Sequence, residues 1–220
     1  MVNKLENPPH DMFDVVIIGG AMIGSSVAWF LSHNDDFDGR ILVVERDPTY
    51  EKSSTAHTNS CMRQQFSSEL NIRISQFAAD FVRDFRDYMG GDPAVPDLHV
   101  HHFGYMYLAD NETFASRLKQ SHAIQAGCGA GTRLMSPGES SAAYPCDQLD
   151  DIVLGSHNIV DEGYFDGAIL FDWWRRKARQ KNVWYIANEV VGIGIDAGRV
   201  TYITLASGSV IRTGIVINAA

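Results

Sequence analysis

Three uninterrupted apolar runs, Asp14–Ile18, Ile41–Glu45 and Ile215–Asn218, stand near the two ends of the chain. A strand with one wet face alternates apolar and polar residues, so unbroken runs predict strands buried on both faces of a parallel sheet. Met22–Ser32 supplies a helix between the first two. The charge-free stretch from Val15 to Leu31 is broken by Gly19, Gly20 and Gly24, which argues for a buried strand and a buried helix over a membrane span. From about Ser68 to Tyr88 a helical pattern places Leu70, Ile74, Phe77, Phe81 and Phe85 in one row, expected to face the core. Gly90, Gly91, Pro93 and Pro96 then punctuate the chain, and His99–Ala109 alternates like a half-buried strand. Helices are predicted over Glu112–Ala126, over Ser136–Tyr144 entered through Pro137, and over Asp166–Lys181 capped by Asp166. Short β runs follow at Val183–Ala187, Val190–Ile195, Val200–Leu205 and Ser209–Arg212. Strands alternating with helices at both ends make this an α/β chain.

Charge narrows the partners. A net charge of -9 and a pI near 5.2 argue against nucleic acid, whose phosphates need clustered Lys and Arg. Cys61, Cys128 and Cys146 are odd in number, far apart and without paired spacing, so neither a disulfide framework nor a zinc site is indicated. A reducing, cytoplasmic compartment is the expectation. The opening residues have no apolar core and are read as a disordered lead, residues 1–12. His99, His101 and His102 have no neighbouring Cys or carboxylate pattern to complete a metal site, and no metal is expected. Trp173 and Trp174 read as packing residues.

The chemistry-bearing motif is Gly19-Gly20-Ala21-Met22-Ile23-Gly24, set between a strand and a helix. Glycines in that setting let backbone amides approach a pyrophosphate at the helix N-terminus, where the helix dipole favours negative charge. Ala21 stands where the middle glycine of the pattern belongs and adds one methyl group to the phosphate approach. Glu45 ends the second strand about 20 residues beyond the glycines, where a carboxylate accepts hydrogen bonds from both ribose hydroxyls and repels a 2'-phosphate. Strand, glycines, helix, strand and acid in that order indicate a dinucleotide site of the kind that holds the ADP half of FAD. A structural βα turn is the plainer alternative.

The words after Glu45, VVERDPTYEKSSTAHTNSCMRQQFS, with GYMYLA, LMSP, DEGYFDG and VINAA downstream, resemble the D-amino acid oxidase-like FAD-dependent oxidoreductase superfamily. The branch is that of glycine oxidase, the sarcosine and dimethylglycine dehydrogenases, and the FAD-dependent oxidoreductase domain protein of complex I assembly. The likeness runs from about Phe13 to Ala220. It implies a discontinuous Rossmann-like FAD-binding domain with an inserted α+β substrate domain, truncated at the C-terminus. On that reading residues 13–92 and 151–220 form the FAD-binding domain and residues 93–150 part of the substrate domain. The resemblance also implies that Arg46 and the Ser54–Thr55 segment lie at the cofactor, that Arg63 rests against the isoalloxazine, that the Val190 backbone amide contacts adenine, and that the strand ending in Asn218-Ala219-Ala220 delivers Ala219 to the flavin. Hydroxyls and amides suit a pyrophosphate, and a fixed cation suits reduced, anionic flavin. Thr55-Ala56-His57 matches a setting in which a His carries FAD covalently, and an imidazole nitrogen is a competent nucleophile for that bond. A non-covalent loop His is the preferred alternative.

The implied function is oxidation of a C–N bond of a small amine or amino acid by hydride transfer to FAD. Phe66 stands where relatives acting on N-methyl amino acids place a second Arg, which weighs against sarcosine. Family members continue past the VINAA strand, so the chain is expected to be an N-terminal portion, inactive alone, with a C-terminal complement or a second copy as its partner. No catalytic residue is assigned. The alternatives are a flavin-bearing assembly factor without turnover and a nicotinamide-dependent dehydrogenase.

Overall fold

A computed structural model describes residues 5–145 and 148–220. In chain order the first elements are β1 Val15–Ile18, α1 Met22–Ser32, β2 Ile41–Glu45, a 3-10 turn at Ser54–His57, β3 Cys61–Met62, α2 Glu69–Arg83 and α3 Phe85–Tyr88. Next come β4 Tyr105–Ala109, α4 Glu112–Gly127, β5 Arg133–Met135, α5 Pro137–Ala143, β6 Leu154–Asn158 and β7 Gly163–Tyr164. The last are α6 Gly167–Gln180, β8 Trp184–Ala187, β9 Val190–Asp196, β10 Arg199–Leu205, β11 Val210–Arg212 and β12 Ile215–Asn218. The chain divides into two compact units, one formed by the residues up to Thr58 together with Gly167–Ala220, the other by Asn59–Asp166.

The first unit is built on a parallel sheet in the order β12-β1-β2-β8. Val15, Val16, Ile17, Ile41, Leu42, Val43 and Val44 are all buried, as expected of strands covered on both faces. On one face α1 packs against α6, with Phe30 and Trp174 rings 6.4 Å apart. The other face is covered by an antiparallel sheet, β11-β10-β9, whose Ile203, Leu205 and Ile211 join Phe13, Val16, Leu42, Val44 and Ile186 in one apolar cluster. Each such aliphatic side chain contributes roughly 1.5–3 kcal/mol on burial.

Residues 5–12 are not the disordered lead that their composition suggests. The Phe13 amide donates to Arg212, the Arg212 amide to Asp11, and the Glu6 amide to Ala187. A segment without apolar periodicity is held here by backbone and side-chain hydrogen bonds, which leave no pattern in a sequence.

The second unit holds an antiparallel sheet, β4-β6-β5, and a short ribbon, β3-β7. Its boundaries at residues 59 and 166 differ from those expected at 93 and 150. The reason lies in pairings that join residues 59–92 to this unit: Cys61 and Met62 pair with Tyr164 and Gly163, and the Arg73 and Gln76 side chains donate to the Cys128 carbonyl. The row expected to face the core on α2 is also corrected in part. Phe81 and Phe85 are buried, but Leu70 is 68% exposed, and Ile74 and Phe77 are also exposed; Ile72, Ala79 and Val82 form the buried side instead. The helical pattern is interrupted at Asp84, where α2 ends and α3 begins. The alternating stretch from His99 becomes strand only from Tyr105.

The carboxylate of Glu162 in this unit is fully buried. It accepts from the Gln64 and Gln65 amides at 2.7 and 3.1 Å, from Gln65 Nε2 at 3.0 Å and from Asn158 Nδ2 at 3.0 Å. Burial pushes its carboxyl above the ordinary value, against the pull of those donors.

Candidate dinucleotide site

The carboxyl ends of β1, β2 and β12 meet the start of α1, and a cavity of about 540 Å³ opens there within the first unit. Open parallel sheets offer their ligand crevice at this end of the strands. Gly19 takes φ +90°, and a Cβ on it would stand 2.7 Å from the Ala219 carbonyl oxygen, so β12 passes too close for any side chain. A Cβ on Gly24 would reach 1.9 Å from the Gly19 oxygen. The two glycines thus let the turn and the helix close on each other.

Ala21 is the N-cap of α1, and with Met22 and Ile23 it lines the cavity. The first amides of a helix have no partner inside it. The Met22 amide finds one in Thr55 Oγ1 at 3.1 Å, which ties the Ser/Thr segment to the helix start. Ser53 and Ser54 continue that wall, and the Ala56 amide donates to the Ser53 side chain. The positive end of the helix and these hydroxyls suit an anionic pyrophosphate.

Glu45 does more than its place at the strand end suggested. Its Oε2 accepts from the Gly20 amide at 2.8 Å and its Oε1 from the Asp47 amide at 2.8 Å. The carboxylate therefore fixes the glycine turn against β2, and, having about four lone-pair positions, it has acceptor positions left beyond these two bonds. Beside it, Asp47 accepts from the Thr49 hydroxyl and amide, a turn that holds its carboxyl below the ordinary value.

The structure brings Gly19, Ala21, Met22, Ile23, Glu45, Arg46, Ser54, Thr55, Val190 and Ala219 onto one cavity wall. Gly20 and Gly24 shape that wall from behind. His57 ends the 3-10 turn in the same unit, exposed and outside the wall. Arg63 belongs to the second unit, with its guanidinium over the Phe66 ring at 4.8 Å and the Tyr105 ring at 6.0 Å. The sequence reading missed Asp47, Tyr50, Lys52, Asn188 and Glu189 on the wall. An Asp-Pro-Thr run signals the turn at Asp47. Nothing signals Tyr50, which takes φ +59° yet is buried beneath the Arg175 guanidinium, 5.2 Å from its ring. Burial raises the Tyr50 hydroxyl above its ordinary value, with the Arg175 charge pulling the other way.

His99, His101 and His102 are exposed, His101 stacking on Tyr164. No group of three His, Cys, Asp or Glu side chains suited to a metal occurs among the described residues. Of the cysteines, Cys61 is exposed and Cys128 buried, both free, while Cys146 lies outside the described residues. No helix among the described residues is long and apolar enough to cross a membrane.

Residues 14–220 match the family described as DAO, FAD dependent oxidoreductase. The chain is 34% identical over 186 residues to FAD-dependent oxidoreductase domain-containing protein 1 of Xenopus laevis, covering 83% of this chain and 37% of that protein. It therefore spans less than half the length of this curated relative. L-Proline dehydrogenase from P. horikoshii superposes with a TM-score of 0.77 at 23% identity, covering 96% of this chain and 53% of that one. Glycine oxidase from Bacillus cereus ATCC 14579 superposes with a TM-score of 0.68 at 20% identity, covering 94% and 55%.

Proposed function

The chain belongs to the FAD dependent oxidoreductase family, and on that premise we propose that its first unit holds the ADP half of FAD and that the whole protein oxidises a C–N bond of a small amine or amino acid. The observation that carries this reading is one cavity wall assembled from the glycine turn, the start of α1, Glu45 and Val190. The residues suit the group. Backbone closeness at Gly19 and Gly24 leaves room for a pyrophosphate, Thr55 and Ser54 offer hydroxyls, and Glu45 keeps acceptor capacity toward a ribose. Bound FAD would supply a two-electron acceptor for hydride removal next to nitrogen.

The amine substrate class rests on the neighbours named for oxidation of glycine and L-proline. Arg63 is proposed as the cation beside the flavin ring, its guanidinium already oriented by the Phe66 and Tyr105 rings. His57 is proposed as a non-covalent loop residue, with covalent attachment tested by acid precipitation: yellow colour that stays with the pellet means a covalent bond. A yellow purified protein absorbing at about 450 nm supports the cofactor reading, and a colourless one that takes up no added FAD overturns it. Oxygen uptake or dye reduction with a panel of amino acids by the full-length protein tests turnover. Flavin binding without any turnover would favour a flavin-bearing factor over an enzyme.

A further inference from the structure

We propose that residues 5–7 act as a strap that holds the Asn188–Val190 wall of the cavity in place, so that the N-terminal segment sets how tightly the dinucleotide is retained. The inference rests on the reading of this cavity as the ADP site. The wall leaves the end of β8, which among the described residues is an edge strand with β2 as its sheet neighbour. An edge strand carries backbone groups without a sheet partner on its outer side, and here Glu6 takes that side. Its amide donates to the Ala187 carbonyl at 2.9 Å, and its Oε2 accepts from the Ala187 amide at 2.9 Å.

The next residue, Asn188, is 1% exposed and joins the strap to the wall. Its Nδ2 donates to the Glu6 carbonyl at 2.7 Å and to Ser207 Oγ at 3.0 Å. Its Oδ1 accepts from the Glu189 amide at 2.8 Å, and its own amide donates to the Glu45 carbonyl at 3.0 Å. Asn7 Oδ1 in turn accepts from the Ser207 and Ser209 hydroxyls at 2.6 and 2.9 Å. One buried amide therefore ties Glu45, the wall and the N-terminal segment together. Without residues 5–7, an Nδ2 hydrogen of Asn188 is buried without its acceptor, and the loop relieves that cost by opening. The wall must then be ordered again each time the ligand binds, which lowers affinity.

The test uses the 220-residue chain, with FAD and ADP each titrated by calorimetry. Removal of residues 1–8 is expected to weaken both ligands by about tenfold, and by the same factor, because the wall stands on the adenosine side. Glu6→Ala is expected to weaken both by about threefold, and Glu6→Gln to restore parent affinity, since a side-chain amide oxygen still accepts from Ala187. This rescue separates positioning from a general loss of stability, and the Glu6 pair decides the matter if the shortened chain does not fold. Affinities in folded variants within about twofold of the parent overturn the strap while leaving the cofactor reading intact. A parent chain that binds neither FAD nor ADP overturns both.

Discussion

In the first unit the central strands β1 and β2 are almost wholly aliphatic and buried, whereas β6, the central strand of the second unit's sheet, reads Leu-Gly-Ser-His-Asn and is just as buried from Gly155 on. The backbones of β1 and β2 pair along the parallel ladder, and their aliphatic side chains bring no polar atoms to satisfy. The second sheet satisfies side chains as well: Ser156 Oγ donates to Gln65 Oε1 at 2.8 Å, Gln65 Nε2 to the Tyr105 carbonyl at 2.9 Å, and Asn158 Nδ2 to Glu162. His157 points its Nε2 at the Tyr144 hydroxyl, 2.9 Å away, and burial holds its pKa below the ordinary value. An apolar core tolerates swaps that conserve volume, while a buried polar network fails when one member loses its partners. The two halves of this chain should therefore respond differently to equally conservative changes.

The sharpest break is Glu162→Ala. Four N–H donors lose their acceptor together, and a loss of about 5 kcal/mol is expected in denaturant unfolding of the second unit. A loss below about 1 kcal/mol would mean that the network is not what holds that unit. The pH dependence sharpens this. The folded carboxyl of Glu162 lies above its unfolded value, so its contribution is fully present below that unfolded value and declines as pH rises through the folded one. The stability margin of the parent over Glu162→Gln should accordingly be larger at about pH 4 than at about pH 7, measured by urea unfolding at both. A margin that grows with pH would reverse the sign assigned to burial.

Next in size is Ile203→Ala, which removes a fully buried side chain from the cluster over the parallel sheet. A cost of about 3 kcal/mol is expected, and Ile203→Val should recover most of it because the core conserves shape more than chemistry. Glu45→Ala should cost about 2 kcal/mol of FAD binding, since it removes the carboxylate proposed to accept from the ribose and the anchor of the Gly20 amide. Unchanged affinity in that variant would remove Glu45 from the site. The smallest effect belongs to Ala21→Gly. Glycine is the better N-cap and carries no methyl group, so binding equal or tighter by a few tenths of a kcal/mol is expected by titration. Weaker binding would show that the Ala21 methyl packs usefully on the ligand.

What the sequence determined by itself is the first unit's frame. Gly19, Gly24 and Glu45 are read correctly as to place because strand, turn and helix follow one another locally, and an unbroken aliphatic run has few solutions other than a buried parallel strand. The gathering of Thr55, Val190 and Ala219 onto the same wall came from resemblance, since no local rule joins residues so far apart. Tertiary structure alone decided the rest. It placed Tyr50 beneath Arg175, tied residues 5–12 to β8 and β11, and made a core strand of Gly-Ser-His-Asn. In each case the deciding contact joins residues distant along the chain, Tyr50 with Arg175, Glu6 with Ala187 and Ser156 with Gln65. Hydrophobic periodicity reports which residues avoid water, but it carries no record of which distant donor meets which acceptor.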